Sequence, residues 1–140
     1  MRAMNRIHCL AIWLVALFIV MSCGKEKPKG KVFFAEPKEG AEIKGPVKVV
    51  MRVEGMKIQP AGEVVDGTGH HHILINKDFF PPGQVIPTDD THRHFGKGDT
   101  EAVLDLPPGD YKLTLQFADG LHRSYGKDFS ATIHIKVVAK

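Results

Sequence analysis

Cysteine is scarce: the 140 residues hold two, Cys9 and Cys23, both near the N-terminus. Beyond residue 23 there is no thiol for a disulfide, a nucleophile or a thiolate–metal bond. A surplus of charge is missing as well. Nineteen Lys and Arg face 16 Asp and Glu, and the net +3 falls to +1 if Arg2 and Arg6 leave with a signal segment, so nothing marks a nucleic-acid surface. The uncharged apolar run from Leu10 to Met21 is too short to span a bilayer core of about 30 Å as a helix. No convincing amphipathic helical pattern occurs, and 14 Gly with 9 Pro speak for turns rather than a helical bundle. A chain of this length has room for one domain, which excludes a two-domain enzyme.

What is present at the N-terminus reads as an address. Arg2 and Arg6 precede the apolar run, which ends in Val20-Met21-Ser22-Cys23-Gly24 and resembles a bacterial lipoprotein signal. The expected organisation is a signal peptide over 1–22, lipidated Cys23 with a polar tether over 23–30, and a domain over 31–140. This implies a palmitate-type anchor and a periplasm-facing place in the cell envelope. Gly24 lacks the acidic character of an inner-membrane retention signal, which favours the outer membrane in a host with two membranes. A membrane contact through the lipid and an envelope protein partner are expected, with the domain itself a monomer that binds no nucleic acid.

Along the domain, apolar residues recur at every second position. Val47, Val49, Met51 and Val53 alternate with mostly polar neighbours, and Lys31 to Ala35 opens an earlier strand. His71, Ile73 and Ile75 alternate with His70, His72 and Leu74, predicting a half-buried strand; Ala102, Leu104 and Leu106 predict another. Tyr111, Leu113, Leu115 and Phe117, then Ile133, Ile135 and Val137, give the clearest pair. Turn signals such as Pro81-Pro82-Gly83 and Pro107-Pro108-Gly109 separate them. The pattern predicts an all-β, immunoglobulin-like antiparallel β-sandwich of six to seven strands, with a small β-barrel as the alternative. Lys77 to Gly98 shows no clear strand, and long loops in compact domains are usually functional.

Five of the eight histidines, His70, His71, His72, His92 and His94, fall within 25 residues. Residues two apart on a strand share a face about 7 Å apart, so His70 with His72, and His92 with His94, form two pairs able to reach one ion. Three or four neutral imidazoles suit Cu(II) or Zn(II), with His122 as a further ligand and Asp89 or Asp90 orienting a ring. Because neutral imidazole is the ligand form, affinity is expected to fall as pH drops through about 6.5. The competing reading is a structural network: His, Asp and Thr in Asp89-Asp90-Thr91-His92 suit the hydrogen bonding of an irregular loop, in a module whose work is protein interaction. Met51 and Met56 fit core packing, and Phe79-Phe80 an anchor for the loop.

Catalytic patterns are thin. Ser124 and Ser130 lie outside any nucleophile-elbow motif, and no phosphate-binding loop occurs. A metal-dependent hydrolase at the histidines is a second alternative, and no catalytic residue is assigned. The blocks Gly67-Thr68-Gly69-His70-His71-His72-Ile73-Leu74-Ile75-Asn76, Ile86-Pro87-Thr88-Asp89-Asp90-Thr91-His92 and His94-Phe95-Gly96-Lys97-Gly98-Asp99-Thr100-Glu101 resemble the domain-of-unknown-function family 4399, and Gln116 to His122 continues the likeness, within a span from about Val32 to Val138. The resemblance implies a secreted or lipid-anchored bacterial β-sandwich and supplies neither reaction nor ligand.

Overall fold

The computed structural model describes residues 29–140; the expected signal peptide over 1–22, Cys23 and most of the expected tether over 23–30 lie outside the described residues. Two sheets pack face to face. One is formed by β1 (Lys31–Glu36), β3 (Val47–Glu54) and β7 (Glu101–Leu104) in the order β1-β3-β7. The other has the order β2-β9-β8-β5-β4, with β6 also paired to β5. Its members are β2 (Glu42–Lys44), β4 (Lys57–Ile58), β5 (Thr68–Ile75), β6 (His92–His94), β8 (Gly109–Ala118) and β9 (Ser130–Val138). Separate sheets make this a β-sandwich rather than a barrel. Six strands are those the alternation predicts; β2, β4 and β6 are additions of two or three residues. The pairs β2–β9 and β4–β5 are parallel, while the long ladders are antiparallel. Among the described residues no helix is long and apolar enough to cross a membrane.

The core lies between the sheets, as the period-two pattern dictates. Val47, Val49 and Met51 of β3 meet Ile73 and Ile75 of β5, Leu113, Leu115 and Phe117 of β8, and Ile135 and Val137 of β9. Met56 joins this cluster, and Phe117, Phe129 and Tyr125 stack at one end of it. Phe117 is fully buried, so Phe117→Ala would cost about 3–5 kcal/mol, the lost transfer energy plus the cavity left behind.

The expectation of a half-buried β5 is corrected here: all eight of its residues are buried. Loops cover the outer face of its sheet, where Leu74 and Ala118 pack with Ile86 and Phe80 in a second apolar cluster. Two buried polar side chains fasten this cover. Gln116 accepts from the Phe80 amide and donates to the carbonyls of Gly126 and Phe129, while Ser124 donates to the Phe80 carbonyl. The supposed loop Lys77–Gly98 also contains β6, which the Ile75 amide to Thr91 carbonyl bond and the Phe95 amide to His71 carbonyl bond lay along β5.

Candidate metal centre

With Ile73 and Ile75 committed to the core, strand alternation turns His70, His72 and Leu74 to the opposite face, beneath the covering loops. Gly69 lets this end of β5 lie close to β8, since a Cβ there would collide with the Ala118 carbonyl. β6 brings His94 opposite His72. The fourth histidine, His122, comes from the turn after β8, where its φ of 64° is left-handed, a sparsely populated conformation for a residue with a side chain. Asp119 holds that turn: Oδ1 accepts from the amides of Leu121 and Arg123, Oδ2 accepts from Arg123 Nε at 2.7 Å, and the Asp119 carbonyl accepts from the His122 amide.

His70, His72, His94 and His122 thereby form a cage. One ligating atom from each lies within 4.8 Å of the others, a group placed to hold a metal ion, and all six pairs of ring centroids lie 4.6–5.8 Å apart. His70 Nε2 stands 3.0 Å from His72 Nε2 and 3.2 Å from His122 Nδ1. A neutral ring nitrogen carries either one proton or one lone pair, so His70 Nε2 satisfies only one of these neighbours. A cation among the lone pairs would satisfy both at once. The spacing is close to the edge of about 3.3 Å that a tetrahedron has when Zn–N is 2.0–2.1 Å. His94 Nε2 is buried with no hydrogen-bond partner among the described residues, as are the Nδ1 atoms of His70 and His72.

Electrostatics favour the ligand form. Burial, followed by the neighbouring His94 and His122, lowers His70 to about 4, while Asp119 works in the opposite direction. Burial, and then the surrounding histidines, lower His72 to about 2. His94 is lowered by the same two causes. His70 and His72 are therefore neutral at pH 7 and well below it, which moves their loss as ligands to lower pH than the 6.5 of an ordinary imidazole. His71 faces the other way, with its ring 5.1 Å from that of Phe117, both nitrogens without a partner among the described residues, and burial lowering it to about 4.

The structure separates His92 from the other histidines of the sequence cluster. Although it shares a face with His94, it sits opposite Leu74, two pairs further along the ladder, with its ring against Phe80. Its Nδ1 lies 2.9 Å from both Asp89 oxygens. Asp89 Oδ1 also accepts from the Thr91 amide, the Thr91 hydroxyl and the His92 amide; the bond from the His92 ring first, then those from the Thr91 hydroxyl and amide, hold the Asp89 carboxyl well below the usual range. Asp89 thus orients His92 and no ring of the cage, while Asp90 is exposed and lies 3.9 Å from Arg93. This is the loop-fixing arrangement that the sequence offered for the whole cluster. His134 is exposed on β9, beside Glu39. Sequence reasoning missed the Asp119–Arg123 brace; Asp119-Gly120 directly after a strand was its available signal, as a turn-forming pair.

Comparison with family models matches residues 49–138, more than half of the chain, to the Domain of unknown function (DUF4399). The chain belongs to this family. The match starts at β3, so β1 lies before it, a narrower span than the sequence resemblance suggested. All four cage histidines fall inside the match. Comparison with curated proteins finds no match. Among solved structures, an endo-beta-1,4-mannanase from Thermotoga petrophila aligns at 21% identity with a TM-score of 0.49, over 84% of this chain and 22% of the mannanase chain. The chain thus spans about a fifth of that enzyme's length.

Proposed function

We propose that this DUF4399 domain is a metal-binding module of the cell envelope, taking one Cu(II) or Zn(II) ion on His70, His72, His94 and His122. The observation that carries the reading is the convergence of three imidazole nitrogens on one point, with His70 Nε2 unable to satisfy both neighbours as a hydrogen-bonding atom. An all-nitrogen, thiolate-free donor set suits these two ions better than Cu(I) or a hard cation such as Mg2+. Four protein ligands leave no vacant position on a tetrahedral ion, which favours storage, transfer or structural use over hydrolysis. Titrating each ion into tag-free apo protein in a calorimeter tests this: one ion per chain is expected, and no binding by either ion refutes the site.

The envelope part of the proposal rests on Val20-Met21-Ser22-Cys23-Gly24, with lipid on Cys23 and the domain facing the periplasm at the outer membrane. One acyl chain anchors only marginally, so stable attachment requires several. Cys23→Ser is expected to release the protein from the membrane fraction; a Cys23→Ser protein still processed and membrane-bound to the wild-type extent would refute the anchor. An envelope partner that donates or receives the ion completes the reading.

A further inference from the structure

Two of the cage histidines, His70 and His72, sit on a strand fixed by ladders on both sides, whereas His94 and His122 are half-buried and come from a three-residue strand and a turn. One further segment joins these outer two. Between β4 and β5 the chain runs over Gln59–Gly67, and its consecutive amides reach in opposite directions. The Ala61 amide donates to the Gly96 carbonyl, two residues after His94, at 2.8 Å; the Gly62 amide donates to the Gly120 carbonyl, two residues before His122, at 2.9 Å. Both acceptors are glycines in places where a side chain would not fit. A Cβ on Gly96 would collide with the His94 ring, and one on Gly120 with the Glu63 backbone.

We infer that this segment is a strap that holds His94 and His122 in ligating position and sets how fast the metal leaves, with Gly96 and Gly120 as positioning residues; the inference rests on the proposed metal site. Its ends are fastened by the Gln59 amide to Gly69 carbonyl bond and by the Thr68 hydroxyl to Val65 carbonyl bond. From Gly62 to Gly67 its residues are exposed, and Gly62 and Gly67 have positive φ. A segment with so little buried surface opens locally without unfolding the sandwich. Opening would free the two outer ligands together and leave the ion on His70 and His72 alone, a two-coordinate state from which it departs.

Metal release to a chromophoric chelator, compared between wild type and Gly120→Ala, tests the strap. The added methyl displaces Glu63, and release is expected to quicken about tenfold while circular dichroism stays that of the wild type. Hydrogen exchange on the wild-type protein supplies a second readout that decides alone if Gly120→Ala fails to fold: the amides of Ala61 and Gly62 are expected to exchange more slowly with Zn(II) bound than without it. Unchanged release in a folded variant, or unchanged exchange at these amides on loading, overturns the strap. Failure of the wild type to bind either ion instead overturns the metal site, and the strap's role with it.

Discussion

The chain carries two His-x-His pairs that look alike in sequence and lie on adjacent strands, yet their fates differ. His70 and His72 both enter the cage, because Ile73 and Ile75 pin the alternation of β5 and β8 flanks it along its length. The pair on β6 is divided: His94 faces His72, while His92 overshoots by two pairs and is held by Asp89 and packed on Phe80. Equal spacing fixes a shared face and says nothing about which end of the face holds the other ligands. A carboxylate three residues away is then enough to draw one histidine into a loop network.

The largest effect expected from breaking this contrast comes from His70→Ala/His72→Ala. Loss of two of four ligands should abolish measurable binding of Cu(II) and Zn(II), and with it the metal-dependent thermal shift, worth roughly 2.7 kcal/mol at a hundred times the dissociation constant. Single replacements of His94 or His122 by Ala, each removing a ligand, should weaken binding by at least the roughly 10–100-fold that loss of a ligand's outer-shell partner already costs, read by calorimetry. His92→Ala should do the opposite, lowering the apo stability by about 1–3 kcal/mol in a denaturant titration while metal affinity stays within about threefold. His134→Ala should change neither quantity.

Acid sharpens the same comparison. His71 and His72 are held neutral in the folded domain, at about 4 and about 2, whereas in the unfolded chain they take protons near the ordinary 6.5. The unfolded state therefore binds more protons between these limits. Apo stability should be at its full value above pH 6.5 and fall as pH drops toward 4, by up to about 1.4 kcal/mol per pH unit for each such histidine. His70 and His72 of the folded domain should stay available as ligands below the 6.5 of an ordinary imidazole, so their contribution to metal affinity should be lost at lower pH, which calorimetry at stepped pH would show.

Much of the sandwich was legible in the sequence, because alternation around Val49, Leu115 and Ile135 has one physical meaning on a strand. The double burial of β5 was not, since its cover depends on Gln116 and Ser124 tying together loops far apart in the chain. For the site, His70, His72 and His94 were readable from spacing, and His122 from a block shared with the family. The separation of His92 required the ladder register. The glycines beneath the strap look like ordinary turn residues until the chain of Gln59–Gly67 is laid over them.

The most direct test of the central claim is a Cu(II) and Zn(II) titration of tag-free wild-type protein beside His92→Ala and His70→Ala/His72→Ala. One ion per chain for the wild type and for His92→Ala, with none for the double variant, is the result predicted. Binding lost in His92→Ala and kept in the double variant, or no binding by the wild type, would contradict it.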